Sequence, residues 1–277
     1  MLKKVLLVLD GSPAGQAARK YAFDLIEKTN AGMTAIGVLD TPWITAAQPE
    51  PLGGASFKIQ RDEAMIEHTQ DNMHRLLIDF KQEANQKGVQ VDVVEAEGFP
   101  ATEIERLSHE HDLILIGQTT DFHFDLDEDT DVTVRHVARD NSRPLLIVPK
   151  TPHQGDTVLV TLDSSLQASK ALHMFLLLGL AQGREVHVLS MSEDNDFAQV
   201  IAQRGVRMCA LHGVKAHAHT LHLSGKRDNL ILSQAKEMNA GLIVMGGFSH
   251  SLLREVLFGS CTKKLMDETD IPLFLHH

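Results

Sequence analysis

Lys4-Val5-Leu6-Leu7-Val8-Leu9-Asp10-Gly11-Ser12 recurs in outline as Thr157-Val158-Leu159-Val160-Thr161-Leu162-Asp163-Ser164-Ser165. Each is a run of leucine and β-branched residues that ends in Asp-x-Ser and passes into an alanine-rich stretch of helical character. A pattern repeated in this way marks a duplicated unit, and the segments that follow keep the same order. Thr34–Leu39 and Glu185–Ser190 read as second strands. Asp112-Leu113-Ile114-Leu115-Ile116-Gly117 matches Ala240-Gly241-Leu242-Ile243-Val244-Met245-Gly246. Each unit closes on an apolar strand after proline, at Arg143-Pro144-Leu145-Leu146-Ile147-Val148 and at Ile271-Pro272-Leu273-Phe274-Leu275.

The strands are continuously apolar rather than alternating. Such strands are buried on both faces, which implies an α/β fold with a parallel sheet and helices on each side. A helix over Met65, Ile66, Thr69, Met73, Leu76, Leu77, Phe80 and Ala84 shows the 3–4 spacing of one buried face, and Gly88 reads as its C-cap. Thr41 to Ser56 reads as a loop peculiar to the first unit. The proline- and glycine-punctuated stretch Pro149–Gly155 reads as a linker, dividing the chain into units 1–150 and 151–277.

A length of 277 residues, 43% hydrophobic and 23% charged, suits two globular domains. No apolar run approaches the ~18 residues of a membrane span. Met1-Leu2-Lys3-Lys4-Val5 passes directly into a strand, against a signal peptide. Two cysteines make a disulfide framework improbable and suggest a reducing cytoplasm. The net charge of -11 argues against nucleic acid and anionic membranes as partners, since both call for a concentrated basic field.

Parallel sheets of this kind bind ligands at the carboxyl ends of their strands, where the strand order reverses. In the second unit Asp163 ends the first strand and Gly246 the fourth. A loop then leads to Gly259-Ser260, which opens a helix from Cys261 to Met266. Free amides at a helix start point at an anion, and the Ser260 hydroxyl adds a hydrogen bond or a cap. There is no G-x4-G-K-[ST] and no G-x-G-x-x-G.

The spacing G-x2-[G]-x9-G-[ST] over Gly246, Ser249, Gly259 and Ser260 resembles the nucleotide motif of the universal stress protein family. That resemblance implies two tandem Rossmann-like domains of the adenine-nucleotide α-hydrolase type, each a five-stranded parallel sheet flanked by helices. It also implies a cytoplasmic stress-response protein that holds ATP, with or without magnesium. Asp163 would contact the adenine or ribose end. Gly246, Ser249, Gly259 and Ser260 would line the ribose-triphosphate path, flanked by Met245 and Cys261. The family further implies that the two units pair through their final strands as an intramolecular pseudo-dimer, with a homodimer open beyond it. Met174–Leu180, more apolar than one helix face needs, suits such an interface. Ser249 departs from the motif's second glycine and carries a small penalty wherever φ must be positive, which weakens the expected ATP binding.

The first unit lacks the loop. Asp125, Asp127, Glu128, Asp129 and Asp131 stand where phosphates would sit. Two like charges ~5 Å apart at an effective dielectric near 20 repel by about 3 kcal/mol before screening, so this unit reads as unsuited to ATP. Asp10 is then a strand-end turn residue. The acidic run does not fit a calcium loop, because Thr130 and His136 occupy the places of its Gly and Glu.

Sixteen histidines call for a zinc reading. Cys209 and His212 lie on one helix face, and His217 and His219 on one face of the strand that follows, but their spacing matches no standard zinc module. An exposed edge strand with polar imidazoles is the alternative. No residue is assigned a catalytic role. Three hypotheses stand: a nucleotide-binding stress protein, a slow ATPase, and a stress scaffold that binds no nucleotide or another small ligand.

Overall fold

The structure, a computed structural model, describes residues 1–47, 55–124, 133–247 and 260–277. The first half runs β1 (Lys4–Val8), α1 (Pro13–Thr29), β2 (Gly32–Leu39), α2 (Thr41–Ile44), α3 (Ala55–Gln86), β3 (Val91–Glu97), α4 (Pro100–Ser108), β4 (Leu113–Gly117), α5 (Thr133–Asp140) and β5 (Leu145–Val148). The second half repeats the plan as β6 (Thr157–Thr161), α6 (Leu166–Leu177), β7 (Glu185–Ser192), α7 (Asn195–Leu211), β8 (Ala216–His222), α8 (Arg227–Glu237), β9 (Ala240–Gly246), α9 (Ser260–Glu268) and β10 (Leu273–His276).

The ten strands form one sheet in the order β3-β2-β1-β4-β5-β10-β9-β6-β7-β8. Within each half all neighbours are parallel; β5 and β10 meet antiparallel, with Leu145 opposite Leu275 and Ile147 opposite Leu273. The expected five-stranded sheets are therefore present but fused. Continuous apolar strands have the expected consequence: Val5 and Leu7 face one core and Leu6 and Val8 the other. Helices α1, α3, α6 and α7 cover the first core and α4, α5, α8 and α9 the second, and each core extends through both halves. Phe175 of α6 packs edge-on against Phe274 of β10, with centroids 5.4 Å apart, and the Leu2 amide donates to the Leu178 carbonyl across the junction. Here the apolar excess at the end of α6 is used.

Local signals explain the helix ends. Ser12 accepts from the Gly15 amide and Ser165 from the Ala168 amide, so each Asp-x-Ser caps the helix that follows. Gly88, at φ 69°, ends α3, with Val89 N–H bonded to Ala84 O and Gly88 N–H to Asn85 O. The loop expected over Thr41–Ser56 is partly helical. Asp40 accepts from the Trp43 amide and caps α2, with Pro42 in the first turn, while α3 already begins at Ala55. Residues 48–54 lie outside the described residues.

Because both cores cross the junction, damage on one side is expected to register on the other. Phe274→Ala removes a fully buried ring and should cost about 3–5 kcal/mol. The chain's single tryptophan, Trp43, lies in the first half, so its fluorescence midpoint in urea should fall with the variant's. An unmoved Trp43 transition would show that the halves unfold separately.

Candidate functional site

The strand order within the second half reverses between β6 and β9, and a crevice opens there. Its floor is apolar, made by Leu162, Leu189, Met191, Ile231 and Met245. Its polar wall carries Thr161, Asp163, Ser165 and Gln167 on one side, with Arg227 at the start of α8 and Cys261 and Thr262 at the start of α9 on the other. Asp163, Met245, Gly246 and Cys261 are thus brought together; Ser260 opens α9 and is exposed. Ser249 and Gly259 lie outside the described residues.

Two features set the polarity of this crevice. One oxygen of Asp163 accepts from the Ser165 amide at 2.8 Å, and the other makes no hydrogen bond among the described residues. The side-chain oxygen of Gln167 is buried without a partner. A buried acceptor left unsatisfied costs about 1–3 kcal/mol, so the Gln167 oxygen is disposed toward a donor from outside the chain, while the exposed Asp163 carboxylate is open to one. Burial pushes the Cys261 thiol up to about 11, helped by the Asp228 carboxylate and opposed by Arg227 and Lys264. The thiol is thus protonated at neutral pH, unsuited to nucleophilic work.

Gly246 plays a packing part that spacing alone did not reveal. A Cβ there would stand 2.4 Å from the Ala168 nitrogen and 2.6 Å from the Gln167 carbonyl carbon, so the first turn of α6 seats directly on the strand end. Gly117 is pinned in the same way, since a Cβ there would stand 2.6 Å from the Gly15 nitrogen. Glycine is retained at this point in both halves, although only one has the phosphate spacing.

The first half builds the same turn and closes it. Asp10 accepts from Ser12 N at 3.0 Å and Ser12 Oγ at 2.7 Å through one oxygen, and from the Asp121 amide at 3.0 Å through the other. Ser12 Oγ, with one proton to share, also lies 2.8 Å from Thr119 O, and Gly11 N–H donates to Asp121 O. The strap 119–124 is thereby sewn across the strand ends. Phe122 is buried, and the Phe124 ring lies so near Gly11 that a Cβ would stand 2.9 Å from it. His123 meets Asp40 at 3.2 Å and stacks on Trp43, with centroids 3.7 Å apart. Asp10 is thus a turn residue held by its own chain. The carboxylates of 125–131 expected to repel phosphate lie outside the described residues.

The sequence model of the universal stress protein family matches residues 1–121 and 155–277, once in each half. The chain belongs to the universal stress protein family. It is similar to universal stress protein Slr1230 of Synechocystis, 24% identical over 98% of this chain and 99% of that one. Among solved structures, a universal stress protein from Archaeoglobus fulgidus superposes with a TM-score of 0.70 at 20% identity, covering 99% of this chain and 97% of that one. A putative universal stress protein from Pseudomonas aeruginosa gives 0.61 at 17% identity, over 99% and 93%. These likenesses establish the fold of the family in tandem.

The zinc candidates are not assembled. Among the described residues no group of three or more His, Cys, Asp or Glu is arranged to hold a metal. Cys209 is wholly buried in the core that Ala216 also packs against. Strand alternation turns His217 and His219 to the other face, and His212 ends α7 beside His173. On β7 and the edge strand β8, His187 and His219 pair at 2.9 Å, and His217 meets Glu185 at 2.8 Å. Burial lowers the pKa of both His187 and His219. No helix among the described residues is long and apolar enough to cross a membrane.

Two predictions follow the geometry. Asp10→Ala strands buried donors and should cost about 1–3 kcal/mol of unfolding free energy. Asp163→Ala, at an exposed position, should change it by no more than about 0.5 kcal/mol. Equal costs would contradict the contrast between the two carboxylates.

His276, beside Gly246 in the sheet, has its pKa pushed down to about 4, chiefly by burial, then by His277 and Lys170. The folded chain then holds this proton less tightly than the unfolded one, whose ordinary value is 6.5. The resulting stability is complete above about pH 6.5 and is lost as the pH falls toward 4. His276→Gln should flatten that decline in denaturation midpoints taken across this range; an unchanged slope would remove His276 as its cause.

Proposed function

We propose that this universal stress protein binds one adenine nucleotide per chain, ATP being the expected form, in the crevice of the second half. The observation that carries the reading is the crevice lined by both Asp163, one oxygen of which has no partner among the described residues, and the orphaned oxygen of Gln167, at a turn whose counterpart in the first half is satisfied within the chain. The ribose hydroxyls and the exocyclic amine of adenine are donors of the kind these acceptors lack. The apolar floor from Leu162 to Met245 suits the faces of a purine. The triphosphate would run toward the start of α9, where the helix dipole favours negative charge, with Ser249, Gly259 and Ser260 in the family's positions and magnesium arriving with the phosphates.

The first half contributes no second site in this reading, because the strap occupies its crevice. Residues 1–150 and 151–277 are taken as the two units, the division falling between β5 and β6. Asp163, Met245, Gly246 and Cys261 border the ligand, no residue is given a catalytic role, and the setting is the cytoplasm, where Cys209 and Cys261 stay free thiols.

Melting curves with Mg-ATP test the proposal. At about 100 times its dissociation constant the nucleotide adds about 2.7 kcal/mol to folding, a clear rise in melting temperature. Asp163→Ala and Gly259→Asp should each abolish the rise. A wild-type chain indifferent to ATP would refute the nucleotide reading and favour the scaffold alternative.

A further inference from the structure

Arg227 faces the crevice with no hydrogen bond or ion pair among the described residues. Its surroundings explain why it is not consumed locally. Asp228, the neighbouring carboxylate, is buried and paired with Lys264 at 2.6 Å, and Lys264 also donates to Asn229 at 2.9 Å. That ion pair holds α8 against α9, although Asp228 Oδ2 takes no well-aligned hydrogen bond in it. Arg227 is left as the one basic side chain lining the crevice among the described residues.

Its position is also unfavourable for the helix it begins. Lys226 occupies the N-cap of α8 without a side-chain cap bond, and Arg227 follows it. Cations at a helix start oppose the dipole, and the N-cap ordinarily favours Ser, Thr, Asp or Asn. Arg227 is exposed, borders the crevice and has no anion among the described residues, so its guanidinium is open to an anionic ligand. Arg227 and the first turn of α9, at Cys261 and Thr262, border the same space, across the crevice from Asp163.

We infer that Arg227 reads the phosphorylated end of the ligand, making the crevice selective for nucleotides over nucleosides. The guanidinium fork matches two oxygens of one phosphate, which a lysine ammonium does not reproduce. Asp163 and Gln167 then take the donor groups of the nucleoside while Arg227 takes the anion, so the two ends of the ligand are fixed from opposite walls. The inference rests on the adenine-nucleotide reading of this crevice.

Isothermal titration of ATP, ADP and adenosine into the wild type, Arg227→Gln and Arg227→Lys separates the possibilities. Arg227→Gln should weaken ATP and ADP by about ten-fold or more, in keeping with a lost charged hydrogen bond, and leave adenosine within about two-fold. Arg227→Lys should restore part of the loss, and both variants should melt, without ligand, at the wild-type temperature. Unchanged ATP affinity in Arg227→Gln, or an equal loss for adenosine, overturns the role of Arg227 while leaving the nucleotide site standing. A wild type that binds neither ATP nor adenosine removes the site reading itself, and this inference with it.

Discussion

The pairing of β5 with β10 is the constraint on which the rest of the molecule depends. Each half, ordered 3-2-1-4-5, ends in a short apolar strand with a row of unpaired backbone groups. Such an edge is a liability in water. Joining the two edges antiparallel satisfies both and leaves β3 and β8 as the outer strands. The pairing also merges the cores, since Phe274 lies opposite Leu146 in one cluster while Leu273 and Leu275, opposite Ile147 and Leu145, lie in the other. Contacts that accompany it are weaker: Gln118 donates to the Thr269 carbonyl, and Arg135 pairs with Asp267 at a partly exposed position of small energetic weight. Antiparallel pairing also points the strand ends of the two halves in opposite directions, so each crevice is built from one half alone.

Duplication then allows the two crevices to diverge. Asp-x-Ser makes one turn in both places because the carboxylate and the serine cap are local chemistry. What differs is the second carboxylate oxygen. In the first half it accepts the Asp121 amide, and the strap fills the space above with Phe122, His123 and Phe124. In the second half it stays without a partner among the described residues, in an apolar-floored crevice that carries an arginine. Satisfaction within the chain and capacity for an outside ligand are alternatives at this oxygen.

The elements that were legible in the sequence owe this to local or periodic causes. Two-face burial makes a strand continuously apolar, which exposed the duplication and the parallel sheet. Gly88 and the Asp-x-Ser caps act within a few residues. The strap could not be read, because its role lies in hydrogen bonds to Asp10 more than a hundred residues away, from a stretch without a motif. Gly246 matched a phosphate motif, yet Gly117 meets the same steric demand where that motif is missing. The Asp40-Thr41-Pro42 cap signal for α2 was present and was outweighed by the Pro- and Gly-rich stretch after it. Density of Cys and His suggested zinc, whereas burial of Cys209 and strand alternation separate the ligands. Arg227 had no sequence signal, since its significance comes from Lys264 having claimed Asp228.

The most direct test of the account is the stoichiometry of Mg-ATP binding to the intact chain, measured by calorimetry. The account predicts one nucleotide per chain. Two per chain would contradict the closed first half, and none would contradict the open second.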